Sequence, residues 1–195
     1  MADLLLSKNF EQGILEVYND KPDFDIIQCN QVHSARILEF MGSDLGDKEV
    51  DGIIIDPKMY QYKSIAIKTA DCLPILLIGE KIAFIHAGWK GLATGILSHP
   101  KLQKIRPRKA FIGPSIHHYE VGKEFTQNFP KSTFFEKKGN SYFFNLQAEA
   151  VGQLNVNFPS IQIETSSVCT LKSIEYNSYR RDKTLKRNWN IFKLK

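Results

Sequence analysis

Cysteine is scarce here: Cys29, Cys72 and Cys169 are the only three in 195 residues. An odd, scattered set cannot supply the disulfide framework of a small secreted domain and points to a reducing compartment. No leader is expected either, because MADLLLSKNFEQG has neither the basic start nor the long apolar run of a signal peptide. The longest apolar stretch, Leu73–Ile78, is far short of the roughly 20 residues that cross a bilayer. A cytoplasmic protein with no membrane partner is therefore expected. Repeats, low-complexity tracts and Gly/Ser/Pro-rich linkers are also lacking, so residues 1–195 read as one domain. The formal net charge is +5, yet basic residues thicken only at Lys101–Lys109 and Arg180–Arg187. No recognised nucleic-acid-binding module accompanies them, so no nucleic-acid partner is expected. An anionic substrate suits the charge better.

What is present supports a real core. Hydrophobic residues make up 43% of the chain, with 13 Phe and 7 Tyr, which excludes a disordered polypeptide. Asp51–Asp56, Ser64–Lys68, Leu73–Ile78 and Lys81–His86 are short apolar or β-branched runs separated by Gly, Asp and Pro, the pattern of consecutive strands. Gly79-Glu80 suits a tight hairpin, and the continuous apolar character predicts a sheet buried on both faces. Beyond Gly88–Gly91, a helix is predicted to start at Leu92–Leu97 and end near His99-Pro100. Ala110–Ile112, Ile161–Glu164 and Asn190–Lys193 read as later strands. Leu146 to about Asn155 reads as a helix capped by Asn145. Strands grouped together with helices inserted later favour an α+β fold.

Reactive side chains concentrate in three segments at strand ends: Gln31-Val32-His33-Ser34, Thr69–Pro74 and His86–Gly91. Each segment alone is an ordinary loop. Cys72 precedes one predicted strand and His86 ends the next, however, so an antiparallel hairpin places both at the same end of the sheet. If the His33 loop reaches that edge, two imidazoles and a thiolate converge on a divalent metal with one open position, the donor set of catalytic zinc; copper is chemically acceptable too. Gly88 and Gly91 permit a tight turn, and a helix opening at Leu92 would offer free N–H groups beside Lys90 as an anion site. Asp71 reads either as a residue orienting a ligand imidazole or as a turn former. Arg180 and Arg181 are candidates to grip phosphate. In His117-His118-Tyr119-Glu120, at most one histidine can face a pocket, and Glu120 is an acid/base candidate only beside the metal. Cys29 and Cys169 read as structural.

Taken in order, QVHS, DGIIID, TADCLP, HAGWKGL, IGPSI with YEVG, and SYRRD resemble the family labelled multicopper polyphenol oxidoreductase, or laccase-like. Members of that family are also described as purine nucleoside phosphorylases and as peptidoglycan editing factors. The resemblance implies a single-domain mixed αβ fold with a β-sandwich-like core flanked by helices. It implies a metal, zinc or copper, held by His33, Cys72 and His86. The implied reaction is phosphorolysis of adenosine, inosine, guanosine or methylthioadenosine to the free base and sugar 1-phosphate, with adenosine deamination as a further activity. Purine nucleoside and phosphate are then the partners, with Lys90, Arg180 and Arg181 as phosphate-binding candidates. The alternatives are a cysteine hydrolase using Cys72 and His86, or a non-enzymatic factor in peptidoglycan precursor quality control. The family commonly has Arg at the position of Lys90, and Thr184-Leu185-Lys186-Arg187 stands where Thr-Gly-Arg is usual. Only five histidines occur in the whole chain, too few for a blue-copper centre plus a multinuclear copper cluster.

Overall fold

The buried apolar runs form the middle layer of the molecule, and everything else is arranged on its two faces. The computed structural model describes residues 2–195. Its strands are, first, Leu4–Phe10 (β1), Gly13–Tyr18 (β2), Ile37–Glu39 (β3), Gly52–Ile55 (β4), Ser64–Thr69 (β5), Leu73–Ile78 (β6) and Ile82–Ala87 (β7). They continue with Lys109–Ile112 (β8), His118–Val121 (β9), Phe135–Lys138 (β10), Ser141–Asn145 (β11), Gln162–Thr165 (β12) and Asn188–Leu194 (β13). The α-helices are Trp89–Ala93 (α1), Pro100–Ile105 (α2), Leu146–Asn157 (α3) and Tyr179–Asp182 (α4).

Six strands in the order β12-β8-β6-β7-β4-β3 make the middle sheet. The β6–β7 hairpin turns at the predicted Gly79-Glu80, with Pro74 opposite His86 and Ile78 opposite Ile82. Every residue of both strands is buried, because alternate side chains serve two cores. Ile53, Ile55, Leu76, Ile82 and Phe84 pack against Leu15, Ile65, Ile67 and Phe192 of a second sheet, ordered β1-β2-β13-β5. Ile54, Ile75, Leu77, Ala83 and Ile85 face Leu97, Leu102, Ala150 and Leu154 on the helical side. The result is a mixed αβ fold in which two sheets form a sandwich and helices cover its outer face. No helix among the described residues is long and apolar enough to cross a membrane.

Several elements differ from expectation. The helix expected from Leu92 starts earlier, at Trp89, and stops at Ala93. Gly95, at φ +83°, then breaks the chain into a short 3-10 turn before α2, since a left-handed residue cannot continue a helix. The Leu92 N–H is consequently not free but donates to the Gly88 carbonyl (3.0 Å). A third sheet, β10-β11-β9, does not show in the hydrophobic pattern. It turns at Gly139 (φ +59°) and packs Tyr119, Phe135 and Phe144 around Phe125. Helix α3 starts where expected, with the Asn145 side chain accepting from Ala148 N (2.9 Å).

Phe84 sits at the centre of the sandwich with no exposed surface. Phe84→Ala should lower unfolding free energy by about 3–5 kcal/mol through a cavity that two sheets cannot collapse to fill, measurable by urea denaturation.

Candidate metal centre

Strand parity brings the reactive residues together. His86 shares a face with Ile82 and Phe84, and Asp51, one residue before β4, shares the face of Ile53 and Ile55. Both therefore point into the sandwich at the end of the sheet where β6 begins, and Cys72 immediately precedes that strand. His86 N donates to the Asp51 carbonyl (2.7 Å), locking the two strand ends in register. The loop bearing His33 is drawn to the same edge by the Asp51 carboxylate. That group accepts from His33 N (2.9 Å), Ser34 N (2.6 Å), Ser34 Oγ (2.7 Å) and Val32 N (3.3 Å). His33 is held at φ +59°, which costs backbone energy and is sustained by these bonds.

The donor atoms of His33, Cys72 and His86 all lie within 4.8 Å of one another. His86 Nδ1–H donates to Asp51 Oδ1 (2.8 Å), leaving Nε2 for the site. The His33 and His86 rings meet edge to face at 4.7 Å. Gly88 leaves the space for this triad: a Cβ there would lie 3.0 Å from Cys72 Sγ and 3.2 Å from His33 Cδ2.

Burial opposes ionisation of Asp51, but hydrogen bonds from His86 and Ser34 outweigh it and hold the carboxyl at about 2. The same competition governs Cys72 and His86. Burial disfavours both charges, yet each stabilises the other, with His33 adding a hydrogen bond to the thiolate. The thiol is driven below the ordinary thiol range and the imidazole above the ordinary histidine range.

These residues floor a cavity of about 770 Å³ whose lining includes Lys68, Lys90, Arg180, Lys183 and Arg187 but only one acid, Asp71. Trp89 and Tyr119 form an aromatic wall of the same cavity. Lys90 Nζ lies 5.6 Å from the Trp89 ring centroid, and the Arg180 guanidinium lies 4.7 Å from that of Tyr119.

A family model described as multi-copper polyphenol oxidoreductase laccase matches residues 9–195. The chain belongs to this family. A purine nucleoside phosphorylase from Aquifex aeolicus is 36% identical over 166 residues, covering 80% of this chain and 77% of that protein. Purine nucleoside phosphorylase YfiH from Escherichia coli is 32% identical over 172 residues, covering 81% and 69%. Hypothetical protein YfiH from Bacillus licheniformis superposes with a TM-score of 0.76 at 26% identity, covering 87% of this chain and 74% of that one.

The geometry of this family member separates the sequence-predicted residues. It brings His33, Cys72 and His86 into one cluster and puts Lys90 and Arg180 on the same cavity. It does not bring Arg181 there. The Arg181 guanidinium donates to the carbonyls of Thr170 (2.7 Å), Ser173 (3.1 Å) and Tyr176 (2.8 Å) and pairs with Asp182. That is the work of a loop anchor. Asp71 touches no imidazole; at φ +97° it accepts from Thr170 Oγ1 (2.9 Å) and Arg180 N (2.7 Å), and thereby positions Arg180. The orienting carboxylate is Asp51, signalled only by an acid at the head of a fully apolar strand. Of His117-His118-Tyr119-Glu120, only Tyr119 lines the cavity, and Glu120 accepts from Ser141 Oγ instead. Cys29 and Cys169 are buried away from it.

Two outcomes follow from this electrostatics. In metal-free protein, Cys72 should alkylate with a midpoint below the value near 8.5 of a free thiol. The rate falls as pH drops through that lowered value, while buried Cys29 and Cys169 stay unmodified; mass spectrometry after iodoacetamide pulses reads both. Asp51→Asn should weaken zinc affinity roughly 10–100-fold by releasing the His86 ring, as read by competition with a chromogenic chelator.

Proposed function

We propose that this chain is a metal-dependent purine nucleoside phosphorylase acting on adenosine, inosine, guanosine or methylthioadenosine, with adenosine deamination as a side activity. The observation that carries the reading is a two-imidazole, one-thiolate cluster at the floor of a cavity with cationic and aromatic walls. The names of its relatives point the same way.

The donor chemistry fits a metal. The Asp51 bond leaves Nε2 of His86 as the available nitrogen, the thiol already favours its anionic form, and three protein donors leave one position open. Zinc matches this nitrogen and sulfur set, with copper as the competing ion. When bound by His33, Cys72 and His86, the ion supplies a Lewis acid at the cavity floor. Unpaired cysteines at all three positions suit the cytoplasm, where thiols stay reduced.

The chain's own residues do the rest. Lys90 and Arg180 hold phosphate, and Asp71 keeps the Arg180 backbone in place. Trp89 offers an aromatic surface to the purine, while Tyr119 carries Arg180 on its ring. In the reaction, a phosphate oxygen bonds to C1′ of the sugar as the C1′–N9 bond breaks. The electron pair leaves with the purine, and the proton released from phosphate ends on its nitrogen.

Base release from the four nucleosides, on protein of measured zinc content, tests this. Release should require phosphate, and Cys72→Ser should lower it by roughly 10²-fold or more together with bound metal. Absence of base release from every nucleoside at full metal occupancy sinks the reading. Inosine accumulation from adenosine reads the deaminase activity.

One observation favours a second reading. Cys72, His86 and Asp51 are linked as a thiolate, an imidazole and a buried carboxylate, the order of a cysteine hydrolase. Such an enzyme, acting on cell-wall precursors, would be active without metal and inhibited by it.

A further inference from the structure

The cations of the cavity do not all belong to one group. Lys90 follows β7 of the middle sheet, and Arg180 stacks on Tyr119 of β9. Lys68 and Arg187 come from the other sheet of the sandwich: Lys68 lies on β5 opposite Trp189, and Arg187 immediately precedes β13. Lys183, at φ +52° after α4, lies on the same approach to β13. The lining thus draws cations from two parts of the fold, Lys90 with Arg180 as a first wall and Lys68, Lys183 and Arg187 beside β5 and β13 as a second. None of its five cations has a carboxylate within 4 Å among the described residues. The second wall makes few hydrogen bonds, although Lys68 lies over Trp189 and Lys183 over Tyr179. Lys68 Nζ donates to Gln28 Oε1 (3.2 Å), and Arg187 Nη1 donates to the Thr184 and Lys186 carbonyls (3.1 and 2.8 Å), leaving its other nitrogens unused. Phosphate carries at most about two negative charges near neutral pH, and one wall suffices to meet it. Like charges crowded at the mouth of a half-buried cavity repel unless an anion joins them.

Building on the phosphorylase reading, we infer that Lys68, Lys183 and Arg187 receive a second anionic group carried by the nucleoside, which extends the substrate class to nucleoside 5′-phosphates. The free phosphate and the substrate's own phosphate then sit on different walls, with the sugar between them.

Calorimetric titration of the zinc-loaded protein with adenosine 5′-monophosphate and with adenosine, in phosphate-free buffer, tests this without turnover. The monophosphate should bind at least about tenfold more tightly, the scale of one charge-assisted hydrogen bond. That advantage should persist in saturating sulfate, an unreactive stand-in for the co-substrate, and shrink as monovalent salt rises. Lys183→Gln and Arg187→Gln should each cut the ratio of the two affinities by about tenfold. Equal affinities overturn the inference, and this comparison on the unaltered protein stands even if a variant fails to fold. An advantage abolished by sulfate also overturns it, since the second wall would then be the site of the co-substrate. Base release from unphosphorylated adenosine, run in parallel, scores the phosphorylase reading separately.

Discussion

The Asp51 carboxylate holds the candidate centre together. It is fully buried, and it gathers donors from Val32, His33, Ser34 and His86. Hydrogen bonds to a charged group contribute roughly 1.5–3 kcal/mol each, and a buried carboxylate stripped of them would be strongly destabilising. The loop that brings His33 across from outside the hairpin therefore cannot leave without exposing the charge to an apolar interior. The same carboxylate aims His86. One residue thus does for both histidines what the β6–β7 hairpin does for Cys72 and His86.

The sandwich explains why that charge can exist there. Two apolar faces meet along most of the middle sheet, and only at the end where β6 begins does the pattern yield to Asp51, Thr69, His86, Asn188 and Asn190, all buried. Within the second sheet some of these groups bond one another: Asn190 Nδ2 on β13 donates to Thr69 Oγ1 (3.0 Å) and to the Ile67 carbonyl (3.0 Å) on β5. The cavity opens at this end of the sandwich, lined by residues of both sheets and of the loops and short helices that flank them.

Parts of this arrangement were legible in the residues. Continuous apolar strands around Gly79-Glu80 foretold a doubly buried hairpin, and the hairpin foretold that Cys72 and His86 meet. Asn145 announced its helix through a side chain that satisfies a free N–H. The third sheet was not legible, because its Phe and Tyr residues cluster with one another rather than alternate cleanly along each strand. Nor was the break at Gly95 visible in a run of helix-compatible residues from Leu92 to Leu97.

Arg180 and Arg181 mark the boundary between what residue order decides and what it leaves to the fold. They are chemically identical neighbours, yet one stacks on Tyr119 over the cavity and the other caps main-chain carbonyls. Only the path of the chain through α4 separates them. By itself the sequence determined the central hairpin, the residue types able to ligate a metal and the family to which the chain belongs. The tertiary structure decided that Asp51 rather than Asp71 serves the imidazole, that Arg181 is an anchor, and that Lys68, Lys183 and Arg187 reach the cavity. The physical reason is that these roles depend on contacts between segments tens of residues apart, which no local periodicity or propensity records.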